Sequence, residues 1–143
     1  MFTGEYEYKI DQKGRVPFPP KFREELRRGM VMSRGLERCI NVYPLSEWQK
    51  MSEKLATLLP PTRSKARRMS RFTFATAFSA ELDGQGRVAL PLPLRQYAEI
   101  GETVIIAGLN NYIEIWSKEN WEAETELMKD QAWQISEGIE ERY

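Results

Sequence analysis

Apolar and polar positions along this chain alternate first with the period of a strand and then with that of a helix. Tyr6, Tyr8 and Ile10 alternate with Glu5, Glu7 and Lys9, which predicts a strand with one half-buried face. Asp11-Gln12-Lys13-Gly14 is turn chemistry, because Asp can bond its own backbone and Gly tolerates a positive φ. Arg15 to Phe18 resumes extended chain, with Pro17 implying an edge or irregular position. Pro19-Pro20 opens a short helix expected over about Lys21 to Arg28. Val31-Met32-Ser33 and Cys39 to Tyr43 read as two more strands around a turn at Gly35. A helix follows, with Ser46 and Gln49 as a capping box. Trp48, Met51, Leu55 and Leu58 form its apolar stripe, which stops at Pro60-Pro61.

The pattern then returns. Ile10-Asp11-Gln12-Lys13-Gly14-Arg15-Val16 reappears as Leu82-Asp83-Gly84-Gln85-Gly86-Arg87-Val88, an offset of 72 that also matches Pro19 with Pro91, Phe22 with Leu94 and Arg23 with Arg95. One residue is gained before Val31, and from there the offset is 73: Gly35-Leu36 matches Gly108-Leu109, and Trp48 matches Trp121. Ile40, Val42 and Tyr43 match Ile113, Ile115 and Trp116 in the same way. Such an ordered series makes the chain two copies of one unit. The units span 5–47 and 76–119, separated by a helix and basic connection over 48–75 and followed by an acidic C-terminal helix over 120–143. In that last helix Ser117 is the expected cap, and Trp121, Met128, Ala132 and Ile135 make a sparser stripe. In the connection Arg63, Lys65, Arg67, Arg68 and Arg71 occur without one acid. Ala66 and Met69 suggest a helical turn there, before extended chain from Phe74 to Leu82. This segment faces water, a nucleic acid or a neighbouring subunit.

Composition narrows the function. With 143 residues, 41% hydrophobic and 29% charged, the chain suits one compact domain or two small ones sharing a core. Its longest clean apolar runs, such as Thr103 to Ala107, are strand-sized and do not predict a membrane span; the first residues do not predict a signal peptide. Cys39 is the only cysteine, so no internal disulfide is possible, and its apolar strand suggests a buried structural thiol in a reducing compartment. Histidine is absent, which removes the common hydrolase triads, His-containing zinc sites and the commonest general base. No enzyme activity, catalytic metal, cofactor or small-molecule substrate is expected. Glu119, Glu122, Glu124, Glu126 and Asp130 read as an exposed helical face rather than an acid–base pair. Net charge is zero, but residues 1–71 carry sixteen Lys/Arg against eight Asp/Glu (+8) and residues 72–143 carry five against thirteen (−8). That asymmetry suggests a polyanion partner for the first half, or docking of opposite halves between copies.

The candidate chemistry lies in the doubled Asp-x-x-Gly-Arg: Asp11, Gly14 and Arg15, then Asp83, Gly86 and Arg87. Each Arg can fork onto a phosphate or a guanine edge, or pair with the Asp four residues before it and fix the turn. Gly84-Gln85-Gly86-Arg87-Val88-Ala89 also fits a relaxed dinucleotide fingerprint, but Leu90-Pro91-Leu92-Pro93 follows where the phosphate-binding helix would have to begin.

Together the twin turns, the Pro-x-x-x-Arg steps ending at Arg23 and Arg95, the run Gly108-Leu109-Asn110-Asn111-Tyr112-Ile113-Glu114-Ile115-Trp116 and Trp121 resemble the MraZ family over nearly the whole chain. The resemblance implies two SpoVT-AbrB-like units forming an α+β, pseudo-symmetric swapped-hairpin β-barrel with flanking helices. It also implies a homo-oligomeric ring and a cytoplasmic, nucleoid-associated regulator of transcription. Such a regulator would bind repeated elements in double-stranded DNA ahead of the division and cell-wall gene cluster, its own gene included. The DNA-contact role falls on Lys13 and Arg15, with Arg23, Arg27 and Arg28 as nearby cations. The rival expectation is a ring-forming interaction protein that does not touch DNA. Sequence neighbours further suggest a division of labour. Lys9 and Lys13 surround Arg15, whereas Glu81 and Gln85 replace them around Arg87, so Arg15 is expected to meet DNA and Arg87 to hold the structure.

Overall fold

The computed structural model describes residues 1–142, so Tyr143, the end of the expected acidic helix, lies outside the described residues. The first repeat contributes β1 (Glu5–Lys9), β2 (Arg15–Pro17), α1 (Pro20–Leu26), β3 (Met30–Arg34) and β4 (Ile40–Pro44). Helix α2 (Leu45–Leu58), helix α3 (Ser64–Ser70) and a π-helical turn (Arg71–Ala75) connect it to the second. That repeat supplies β5 (Phe78–Ala80), β6 (Arg87–Ala89), α4 (Leu92–Tyr97), β7 (Thr103–Leu109), β8 (Tyr112–Ser117) and the long α5 (Lys118–Arg142). No helix among the described residues is long and apolar enough to cross a membrane.

The repeats exchange their first strands. An antiparallel sheet runs β1-β7-β8-β4-β3-β5, so β1 pairs only with β7 of the second repeat and β5 only with β3 of the first. Equivalent strands meet at the centre of this arrangement: β4 pairs with β8, and β2 pairs with β6 in a separate two-stranded ribbon. The swap expected from the resemblance is therefore present, but the closed barrel is not. β1 and β5 remain the two edges of an open six-stranded sheet, and the β2–β6 ribbon is a second sheet rather than part of a continuous wall.

Strand register also revises the repeat alignment. Met30 faces Pro44 as Val104 faces Ser117, so β3 matches β7 at an offset of 74, not 73. The match is visible in burial: Met30 and Val104 are both fully enclosed, and Val31 at 6% exposure corresponds to Ile105 at 7%. Gly35 accordingly matches Leu109, not Gly108. The extra residue is returned in the hairpin, where three residues separate Gly35 from Cys39 but two separate Leu109 from Tyr112.

The core is assembled from matched pairs. Val16 and Val88 face each other from the ribbon, while Phe18 and Leu90, Phe22 and Leu94, and Leu26 and Ala98 follow at the offset of 72, all buried. Phe22 stands edge-on to Phe2 (5.1 Å between ring centroids) and to Tyr6 (5.5 Å), which ties α1 to the N-terminal strand. Pro19 and Pro91 precede α1 and α4, whose first turns accept proline because those N–H groups have no helical partner.

Two local expectations change. α2 begins at Leu45 with Pro44 at its cap position and no side-chain cap bond, so Ser46 already lies inside the helix and the capping box does not form. Ser117 does cap α5, accepting from the Asn120 N–H at 3.1 Å. The stretch after α3 coils into a π turn before a short β5, because Phe72 and Phe74 pack on Tyr97 (6.0 Å) and Trp48 (5.7 Å).

Since β1, β2 and β3 each find a partner strand in the other repeat, the first repeat should not be stable as a monomer. A fragment of residues 1–62 is expected to fold only by pairing with residues 63–143 or with a second copy of itself, so that its melting midpoint rises with concentration. A cooperative, concentration-independent melt of that fragment, followed by circular dichroism, would contradict the exchange.

Candidate nucleic-acid interface

Each Asp-x-x-Gly-Arg segment folds as an Asx-type turn closed by its own arginine. Asp11 Oδ1 accepts from the Lys13 and Arg15 backbone N–H groups, both at 2.9 Å, while Oδ2 accepts from Arg15 Nε at 2.8 Å. Asp83 repeats the arrangement with Gln85 N, Arg87 N and Arg87 Nε, all at 2.9 Å. Gly14 and Gly86 both take φ of +77°, a conformation open to glycine and costly for other residues. The backbone N–H of each arginine, together with its own side chain and the N–H two residues after the Asp, holds both Asp carboxyls below the ordinary carboxylate range.

The two arginines are thus structural equivalents. Arg15 pairs with Asp11 just as Arg87 pairs with Asp83, so this pairing does not distinguish them. Both also lie on one face. Arg15 stands opposite Ala89 and Pro17 opposite Arg87, while Val16 and Val88 between them point into the core. Arg15 and Arg87 are therefore diagonal neighbours on the outer face of the ribbon, roughly 7–8 Å apart at their backbones. Only Nε of each is bonded among the described residues, which leaves both outer guanidinium nitrogens available as donors.

The swap redistributes the other candidate cations. Arg23 is not a free cation of the first turn. Its Nε donates to the Phe18 carbonyl at 3.0 Å, and its guanidinium lies against Gly86, where a Cβ would collide with it. Arg95 mirrors it, donating to the Leu90 carbonyl at 3.0 Å and resting 3.0 Å from the Cβ position of Gly14. Each turn is thus braced from beneath by an arginine of the opposite repeat, and the main chain joins there too: Phe18 N–H bonds Gly86 O (3.0 Å), and Leu90 N–H bonds Gly14 O (2.8 Å). Arg27, paired with Glu24 at 3.4 Å, lines a surface hollow with Asp83 and Gly86, and Arg28 lies beside Ser79 and Glu81. The structure divides Lys13, Arg15, Arg23, Arg27 and Arg28 between the two turns. Lys13 and Arg15 occupy one turn; Arg23, Arg27 and Arg28 flank the other.

Comparison with known proteins decides the family. The model of the family described as MraZ protein matches in two parts, residues 1–72 and 73–136. The chain belongs to the MraZ family. Two Dehalococcoides mccartyi proteins named transcriptional regulator MraZ are each 52% identical, over 143 and 142 residues, covering 98–99% of this chain and 99% of each relative. A third of that name, from Halothermothrix orenii, is 49% identical over 121 residues, 85% of this chain and 84% of its own. MraZ is thus a family of regulators and not of enzymes.

In this MraZ chain the sequence pattern missed two arrangements. Arg95 was visible only as the match of Arg23, and its bracing of Gly14 requires the exchange. Cys39, buried as expected, lies with Glu37 and Glu114 in one cluster, their ligand atoms within 4.8 Å of one another. Burial pushes the Cys39 thiol up and raises the Glu114 carboxyl, with nearby acids adding to both. These residues come from the β3–β4 hairpin and β8, which only the β4–β8 pairing brings together.

A carboxyl depressed in the folded state contributes stability that is present above its unfolded pKa, about 3.9, and lost as pH falls through the folded value. The double variant Asp11→Asn/Asp83→Asn keeps an oxygen for the backbone N–H groups but not the charge. It is expected to lose less stability than wild type between pH 6 and pH 3 in thermal melts. An equal acid-induced drop would show that the turns do not depend on the carboxylates.

Proposed function

We propose that this chain is a sequence-specific, double-stranded DNA-binding regulator of transcription whose contact surface is the outer face of the β2–β6 ribbon and its two turns. The observation that carries this reading is the pair Arg15 and Arg87, projecting from one face and each oriented by a carboxylate on Nε. A two-stranded ribbon fits the major groove, which is about 12 Å wide, and an arginine presenting two donors matches guanine O6 and N7. Lys13 would add phosphate contacts at the first turn. At the second, Arg27 and Arg28, just after α1, would offset Glu81 and Asp83. Because the fold brings Arg27 and Arg28 to the second turn as well, both arginines are assigned to DNA in this proposal. Arg23 and Arg95 act beneath the turns as positioning residues.

The proposal includes repression at repeated elements upstream of the division and cell-wall gene cluster, including the regulator's own gene, by a nucleoid-associated assembly; the relatives' name, transcriptional regulator, supports its regulatory part. One ribbon offers few contacts, so useful affinity at repeated sites would come from several ribbons held in one oligomer.

Arg15→Ala and Arg87→Ala should each weaken binding to a repeat-containing duplex by about 1–3 kcal/mol per engaged site. Lys13→Ala should instead shallow the salt dependence without changing discrimination against a scrambled duplex. Titration of labelled duplex at several salt concentrations, with melts of each variant, checks this. Normal binding by Arg87→Ala would restore the asymmetric assignment. Failure of wild type to discriminate the two duplexes at any salt concentration would favour the interaction-protein reading.

A further inference from the structure

Matched positions of the two repeats differ most in one groove. In the first repeat, the groove between α2 and strands β3 and β4 is covered by the chain itself. Trp48 meets Phe74 edge-on at 5.7 Å, the Arg34 guanidinium lies 5.7 Å from the centre of the Phe72 ring, and Ala66 of α3 and Thr73 of the π turn are buried. The matching groove of the second repeat is open, a cavity of about 630 Å³. Gly108 stands there in place of Arg34, and Glu114 in place of Asn41.

Three side chains able to ligate a metal converge at the floor of that cavity. Asn41 and Glu114 are directly paired across β4 and β8, so both leave the same face of the sheet, and Cys39, two residues before Asn41, leaves it too. Glu37 joins them from the β3–β4 hairpin. Cys39 Sγ and one oxygen from each of Glu37 and Glu114 all lie within 4.8 Å of one another. Zinc holds sulfur at about 2.3 Å and carboxylate oxygen at about 2.0–2.2 Å, so a tetrahedral set spaces its donors by roughly 3–4 Å. Rotation of the exposed Glu37 side chain is enough to close that difference.

The surroundings suit a cation. Cys39 is wholly enclosed, its Sγ fits only because residue 35 is glycine, whose Cβ would collide with it, and its contact with Asn41 Oδ1 is long, 3.8 Å. Glu114 is half-buried, and its Oε1 accepts from the neutral Trp116 Nε1–H at 3.0 Å, which orients the carboxylate as an outer partner orients a metal ligand. Among the described residues, neither Glu37 nor Glu114 pairs with a lysine or arginine. The hairpin that carries two of the ligands is held by the second repeat, because the Tyr97 hydroxyl donates to the Gly35 carbonyl (2.7 Å) and the Glu37 carbonyl (3.2 Å). The cavity, lined by Glu37 and Glu114, gives an ion its way in.

We infer that Cys39, Glu37 and Glu114 form a structural binding site for zinc(II), with water from the cavity completing the coordination. One thiolate beside two carboxylates selects a borderline-soft ion, whereas calcium and magnesium take oxygen donors. The absence of histidine excludes His ligands but not this set. An ion held here clasps the hairpin of the first repeat to β8 of the second, beside their shared axis, and so strengthens the exchange. The site stands independently of the DNA-binding reading.

Cobalt(II) and zinc titrations of the full chain, stripped with chelator and kept reduced, test this. Wild type should take up one ion per chain, show the near-ultraviolet thiolate-to-cobalt band with the visible bands of a tetrahedral ion, and release cobalt to added zinc. Its melting midpoint should rise with zinc and not with calcium or magnesium. Cys39→Ser should abolish the thiolate band. Glu37→Gln, at an exposed position where folding is not at stake, should weaken cobalt binding by more than about 10-fold, since losing even an outer partner of a ligand costs about 10–100-fold. Absence of the thiolate band in folded wild type at saturating cobalt would overturn the site. Wild-type affinity in Glu37→Gln/Glu114→Gln would overturn it too, by reducing it to a lone thiol. An equal rise in midpoint with calcium would do the same, by reducing it to carboxylates.

Discussion

The main-chain bonds of β1 are completed by β7 and those of β5 by β3, so the first strand of each repeat is satisfied only by the sheet of the other. Unpaired backbone groups on a buried strand are costly, and without the exchange the buried strands β7 and β3 would each lose the partner that covers one edge. The β2–β6 ribbon reinforces the linkage, placing Val16 against Val88 on its inner face at the pseudo-twofold axis. The core then follows from symmetry: once those strands are crossed, Phe18, Phe22 and Leu26 meet Leu90, Leu94 and Ala98 in a single hydrophobic cluster. Two units of about 45 residues, each too small to enclose a core of its own, become one domain.

The same exchange builds the turns. Gly14 can approach Arg95, and Gly86 can approach Arg23, only because α4 lies against the turn of the first repeat and α1 against that of the second. The arginine below each turn bonds a backbone carbonyl, while the arginine on each turn bonds a carboxylate. With Nε committed in all four side chains, orientation is fixed while the outward nitrogens of Arg15 and Arg87 stay unspent. An arginine held this way loses less rotamer freedom on meeting a partner than a free lysine would.

Where the two repeats have diverged, the difference lies outside the shared frame. The aromatic pairs Tyr43–Trp48 and Trp116–Trp121 and the strand registers agree, but α2 breaks at Pro60-Pro61 and lets the chain fold back over its own groove, whereas α5 continues past the sheet. One groove is lined by Arg34 and Asn41 and is filled; its counterpart carries Gly108 and Glu114 and is not. The +8 and −8 halves of the sequence map onto this contrast, with the basic surface around α3 and the acidic one around α5.

Much of this was legible in the sequence. The doubled Asp-x-x-Gly-Arg, the alternation around Tyr6 and Tyr8, the apolar stripes and the Ser117 cap are local features, fixed by side-chain spacing and turn chemistry within a few residues, and the structure contains them. The family and its two-part organisation were likewise carried by motif order. What local spacing could not express was which strand crosses to which repeat. That choice left the sheet open rather than closed as a barrel, moved the β3–β7 match by one residue, and placed Arg23 and Arg27 beside Asp83 and Gly86 and Arg28 beside Glu81. The charge environment of Arg15 and Arg87 could not be summed from sequence neighbours for the same reason. Coulomb fields act through space over about 10 Å, and the residues inside that radius are chosen by the strand exchange, not by the order of the chain.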